Sequence, residues 1–218
     1  MELDNIYQIK DQLRSLGIDP EVLAKNDLTP EAFFFDVCDQ LTFEEKVVLK
    51  VHLHFFKSQE TGAFVLQKFE ASLCFPDDPE KDKTHVFDRA KGTIVTLKEA
   101  FNLLCGRSVF KEITPANGDK YSAWMQLNFA EKTLEGSYLI KRFRAYKGYE
   151  LGRLLSRYPI RELDDRDLKA SIIRALKSGD QQTVTFLKPN GKIEKKVIEA
   201  NPLRQTINIY KIRKNFQK

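Results

Sequence analysis

Histidine and cysteine, which supply most metal, redox and nucleophilic sites, are scarce here: three of each in 218 residues. Cys38, Cys74 and Cys105 are odd in number, far apart and without a CxxC pair. That spacing gives neither a disulfide framework nor a zinc ribbon, and buried free thiols are expected. GxxxxGK[ST], a strand-GxGxxG-helix unit and GxSxG are also missing, which removes the familiar signatures of nucleotide hydrolysis, dinucleotide binding and acyl transfer. No run of apolar residues approaches the roughly 18 that span a bilayer. The first residues, "MELDNIYQIKDQLRSLG", are acidic and amphipathic where a secretory leader is basic and then apolar, so a cytoplasmic protein with no membrane contact is expected.

The candidates for chemistry that remain have local explanations. His52 and His54 stand two apart on an expected strand and share a face, a spacing that suits a metal. His85 has no Cys or HxxxH-type partner nearby in sequence. Asp77-Asp78 follows Pro76 in a polar loop, and Asp164-Asp165 stands where a helix needs an N-cap. The chain therefore reads as non-enzymatic, with no catalytic residue, no cofactor and no metal expected.

What the chain does have is 42% hydrophobic residues, enough for a real core in at most two small domains, and a strong separation of charge. Residues 1–140 carry 16 Lys and Arg against 23 Asp and Glu, or −7, and residues 141–218 carry 20 against 8, or +12. A basic C-terminal third is what a phosphate backbone would require of a partner. An acidic N-terminal part folded beside it would neutralise it instead.

The first 40 residues read as helical. Leu3, Ile6, Tyr7, Leu13 and Leu16 fall on one stripe that Gly17 ends, and Asp19-Pro20 and Thr29-Pro30 each pair an N-cap with a helix-starting proline. From about residue 41 the pattern turns to strands, with Val51, Leu53 and Phe55 alternating against Lys50, His52 and His54. The stretch "LHFFKSQETGAFVLQKFEA" from Leu53 then recurs without a gap as "LNFAEKTLEGSYLIKRFRA" from Leu127, pairing Phe55 with Phe129, Gly62 with Gly136 and Phe69 with Phe143. This is a β-hairpin used twice, its loop carrying a glycine that tolerates positive φ. The repeat sets Gln126 and Asn128 against His52 and His54, which argues for solvent-facing histidines rather than a metal pair. Leu66 and Phe69, and again Ile140 and Phe143, are three apart, which predicts a bulge or bend in each return strand.

Each hairpin leads into helix and strand: Thr96 and Glu99 make a capping box for "TLKEAFNLLCG" before "RSVFKEI", and "GYELGRLLSRY" and "DDRDLKASIIRALKSG" precede "QTVTFL". Pro189-Asn190-Gly191 turns that strand into "KIEKKVIEA", and "QTINIYKI" closes the series. The expected fold is α+β: a helical segment over 1–40, a first lobe over 41–120, and a similar second lobe with a basic tail over 121–218, each of antiparallel hairpins with covering helices.

Four stretches, "TLKEAFNLLCGRSVFKEIT", "KYSAWMQLNF", "YPIRELDDRDLKASIIRALKSGDQQTVTF" and "IEANPLRQTINIY", resemble a family of Bacteroidetes proteins and domains found near conjugative and other mobile elements, over roughly residues 85–210. The resemblance implies a lean toward DNA transactions by association and carries no defined catalytic or binding residue.

The densest cationic stretch is "KRFRAYKGYELGRLLSRYPIR" from Lys141. Phe143 aligns with Phe69 and is expected in the core, and Leu151, Leu154 and Leu155 form a buried helical stripe. That leaves Lys141, Arg142, Arg144, Tyr146, Lys147, Tyr149, Arg153 and Arg157 as candidate contacts to nucleic acid, with Lys211, Arg213 and Lys214 of the tail. In the first copy the matching positions include Gln67, Lys68 and Glu70, so the hairpin itself does not require the basic character. Arg153 and Arg157, four apart, are expected on one helix face. The competing reading is a protein-interaction adaptor that recruits its partner through the amphipathic N-terminal helix or an exposed strand edge.

Overall fold

The computed structural model describes residues 3–25, 34–44, 47–89, 93–115, 118–144 and 149–212. The chain is α+β and mainly β, beginning with a helix, α1 (Leu3–Leu16). Ile9, Leu13 and Leu16 are buried and Ile6 half-buried, whereas Tyr7, expected on that stripe, is 63% exposed. Gly17, at φ +85°, ends the helix as expected, and Asp19 accepts from the Glu21 N–H at the start of a 3-10 turn over Pro20–Lys25. The Thr29-Pro30 cap lies outside the described residues.

Helix does not persist to residue 40. Strand β1 runs over Phe34–Glu44 and pairs antiparallel with β2 (Val47–Lys57), from Phe34 opposite Phe56 to Glu44 opposite Val47. Aromatic and β-branched residues suit a pleated surface, and a long partner strand decides the matter. β3 (Phe64–Cys74) and β4 (Lys83–Asp88) complete a four-stranded sheet in the order β1-β2-β3-β4. β2 alternates as expected, with Leu49, Val51, Leu53 and Phe55 inward. The bulge falls where the spacing predicts it: Phe55 faces Leu66 and His54 faces Lys68, leaving Gln67 as the extra residue.

β4 reaches only Lys68 to Leu73 of β3. Beyond it, the Gln12 side chain of α1 takes over the strand edge, donating to the Phe64 carbonyl at 2.9 Å and accepting from the Leu66 N–H at 2.8 Å. The apolar stripe of α1 is thus spent inside the fold. Tyr7 alone of the described stripe residues stays exposed.

α2 (Leu97–Leu104) begins at the expected capping box, with Glu99 N–H donating to the Thr96 hydroxyl and Thr96 N–H to the Glu99 carboxylate. β5 (Val109–Ile113), β6 (Tyr121–Lys132) and β7 (Tyr138–Arg144) make a three-stranded sheet in that order. Along β7, Ile140 and Phe143 are half-buried while Lys141 and Arg142 between them are both exposed, the same break in alternation as in β3. α3 (Leu151–Leu155) and α4 (Arg166–Lys177) follow, and Asp165 caps α4 by accepting from Asp167 and Leu168 N–H at 2.8 and 3.0 Å. β8 (Gln182–Leu187), β9 (Ile193–Asn201) and β10 (Thr206–Lys211) form a second three-stranded sheet in the order β10-β9-β8.

Two compact units result, and they interleave along the chain rather than parting at one point. The first holds Met1–Cys105, Ile113–Lys120 and Leu127–Leu139, and the second Gly106–Glu112, Tyr121–Gln126 and Ile140–Lys218. By sequence the first carries 14 Lys and Arg against 22 Asp and Glu, or −8, and the second 22 against 9, or +13. The charge separation read along the chain is therefore a separation between folded units.

The duplicated hairpins fold as hairpins in both places, with Gly62 and Gly136 at φ +68° and +83°. Their surroundings are not equivalent. Phe55 is 1% exposed and Phe129 37%, so the expectation of matching buried sites fails. β2 and β6 are both inner strands of their sheets, but Phe129 has the Lys83 ammonium 4.2 Å from its ring centre and Tyr138 edge-on at 4.9 Å. Cys74 and Cys105 are half-buried rather than buried, and the Cys38 side chain lies outside the described residues.

Candidate nucleic-acid interface

The second unit is built around a core of Trp124, Leu151, Leu155, Ile172, Leu176, Val184 and Ile198, against which Phe110, Phe143 and Tyr149 pack partly buried. The outer edge of β8 is closed by the chain preceding α4. Leu187 N–H donates to the Pro159 carbonyl at 2.8 Å, Ile160 bridges to Phe186, and the Glu162 carboxylate accepts the Thr185 N–H on both oxygens, at 3.0 and 2.9 Å. A carboxylate here stands in for a neighbouring strand. Burial pushes the Glu162 carboxyl up, but the Thr185 donors and the Arg161 charge outweigh it and hold it below the usual carboxylate range.

Tyr149, immediately before α3, fastens the opposite side. Its hydroxyl donates to the Thr206 carbonyl at 2.9 Å and accepts from the Asn201 N–H at 3.1 Å, so one phenol bridges both ends of the β9–β10 turn. Burial pushes this hydroxyl far up, which keeps it a neutral donor. The Asn201 side chain holds the turn from within, accepting from Arg204 N–H at 3.1 Å and donating to Asn208 at 2.8 Å. The turn ends on Gln205 at φ +51°, the one non-glycine residue with positive φ among those described.

Between β7 and this turn lies a cavity of about 470 Å³. Trp124, Phe143 and Tyr149 give it aromatic walls, Arg142 and Arg144 bring two cations, and Pro202, Leu203 and Gln205 contribute from the turn. Tyr149 meets Trp124 edge-on with ring centres 5.5 Å apart, and Arg144 lies over Tyr121 at 4.7 Å, which steadies the guanidinium while leaving its charge unneutralised.

The expected contact residues divide accordingly. Arg142, Arg144 and Tyr149 come together at the cavity; Lys141, Arg153, Arg157 and Lys211 are exposed but do not line it. Tyr146, Lys147, Arg213 and Lys214 lie outside the described residues. Arg153 and Arg157 do not share a helix face: α3 stops at Leu155, the Arg157 N–H turns back to the Leu154 carbonyl, and Pro159 bars further helix. Among the described residues none of Lys141, Arg142, Arg144, Arg153, Arg157 and Lys211 forms an ion pair.

Three contributors escape a reading of the sequence. Phe143 was assigned to the core by its alignment with Phe69, yet it is half-buried and lines the cavity. Trp124 and the Pro202–Gln205 turn lie in stretches that carry the family resemblance, which assigns them no role, although the single tryptophan of the chain is a signal of a kind. Among the described residues no group of three His, Cys, Asp or Glu is placed to hold a metal ion, and His52 and His54 sit side by side, half-buried, with ring centres 4.4 Å apart. No described helix is long and apolar enough to cross a membrane. Compared with family models, with curated proteins and with solved structures, the chain matches none.

Proposed function

We propose that this chain is a non-enzymatic, cytoplasmic nucleic-acid-binding protein that works through its basic second unit. One observation carries the reading: in a unit of net charge +13, Arg142 and Arg144 stand unpaired among the described residues at the mouth of an aromatic-walled cavity. Cations without acidic partners supply the phosphate term of affinity, and aromatic faces supply the base term. The basic tail from Lys211 adds charge in sequence, and the resemblance to proteins near mobile elements leans the same way by association. The adaptor alternative, through the N-terminal helix or a strand edge, is less favoured because Ile9, Leu13 and Leu16 of α1 are buried.

Gel-shift and anisotropy titrations of the full chain at two salt concentrations test the proposal. Binding should weaken steeply with salt, by about 0.7 to 0.9 in log K per log [salt] for each phosphate contact. The paired substitution Arg142→Gln with Arg144→Gln should reduce that slope. Salt-independent binding, or none at low salt, would refute it.

A further inference from the structure

We infer that the cavity of the second unit takes one unpaired nucleobase, so that this surface selects single-stranded over duplex nucleic acid; the inference rests on the reading of the unit as a nucleic-acid interface. Phosphate attraction alone requires only exposed cations, and a flat or gently curved basic face would serve a duplex as well. This unit instead places its two cavity arginines on either side of Phe143 in one strand, with the phenyl group turned into a concavity. The volume of about 470 Å³ lies within the range of small-ligand sites. A paired base shows only its edges in a groove, whereas an unpaired base offers a whole π-face, and aromatic side chains take that face with little regard for sequence.

The spacing of the cations fits the same ligand. Arg142 and Arg144 are alternate residues of β7 and both border the cavity, so two cations leave the same face of the strand beside the aromatic walls. Cations bordering the cavity can meet the phosphates that flank a bound base. On the far wall, Gln205 holds a left-handed backbone that an L-residue adopts at a cost, and its side-chain amide has no partner among the described residues. Strain of this kind persists where the surroundings fix it, and it collects at binding sites. Its amide offers both a donor and an acceptor to a ligand at this wall of the cavity.

Trp124 makes the inference testable without a substitution, because it is the only tryptophan of the chain and it lines the cavity. The full chain is titrated at one low salt concentration with oligo-dT, oligo-U, a fully paired DNA hairpin of equal phosphate count, and an abasic strand of the same length, following both anisotropy and Trp124 emission. At least one of the two single strands should bind about tenfold tighter than the hairpin and the abasic strand, and only base-bearing single strands should change the emission. The tighter of oligo-dT and oligo-U names the preferred sugar. Equal binding of hairpin, abasic strand and oligonucleotides with unchanged emission would overturn the inference and leave the nucleic-acid reading standing. No binding of any polymer would bring down both.

Discussion

In the hairpin of β2 and β3, Phe55 is 1% exposed in an inner strand of a four-stranded sheet; in the hairpin of β6 and β7, its sequence counterpart Phe129 is 37% exposed beneath the Lys83 ammonium. The return strands differ as much. Gln67, Lys68 and Glu70 of the first correspond to Lys141, Arg142 and Arg144 of the second, where Arg142 and Arg144 border a cavity. A repeated pattern of glycine and alternating apolar residues dictates strand, turn and strand. What covers the hairpin is decided by neighbours the repeat does not contain, so one motif supports a core in one place and a cation-bordered cavity wall in another.

The sharpest way to break this comparison is truncation of the paired phenylalanines. Phe55→Ala should destabilise the protein by about 3 to 5 kcal/mol, since it empties a fully buried site. Phe129→Ala should cost only about 1 kcal/mol, the worth of a partly exposed ring and its cation contact. Urea unfolding measures both. Equal losses would mean that the two hairpins share an environment after all.

The same contrast explains what the sequence discloses and what it conceals. The capping box at Thr96, the Asp165 cap, the bulge in β3 and the glycine turns are local, each set by a few adjacent residues, and each appears where the spacing places it. Strand β1 was hidden because its pairing with β2 comes from tertiary context, which outweighs the helix-like caps around it. The cavity was half-visible: the cationic residues of β7 announce themselves by composition. Trp124 stands on the preceding strand β6, whereas the Pro202–Gln205 turn meets them only after the chain has passed through two helices and two further strands. A left-handed Gln205 is illegible in sequence, where that conformation would call for glycine.

A smaller effect is expected at Glu162, a device of the second unit alone. Glu162→Ala leaves the buried Thr185 N–H without its acceptor, at a cost of about 1 to 3 kcal/mol. Because the folded carboxyl titrates below its unfolded value, this contribution is complete above the ordinary carboxylate pKa of about 4.3 and is lost as pH falls through the folded value. The stability gap between wild type and variant should therefore be constant from pH 7 down to about 5 and close in more acidic solution. A gap that persists unchanged at pH 2 would show that packing, not the carboxylate, covers the edge of β8.

The smallest effect on stability, and the one that separates cavity from periphery, belongs to Arg153→Gln with Arg157→Gln. Both guanidinium groups are exposed and without ion pairs among the described residues, so their loss should change the unfolding free energy by less than about 0.5 kcal/mol. If they contact phosphates beside the cavity, the pair should lower the salt slope by about 1.4 on a single strand while leaving the preference for single strand over hairpin intact. Arg142→Gln with Arg144→Gln should lower slope and preference together if the cavity they border takes the base. A peripheral pair that abolishes the preference would move the base-reading site away from the cavity. An unchanged slope would confine the interface to β7 and the β9–β10 turn.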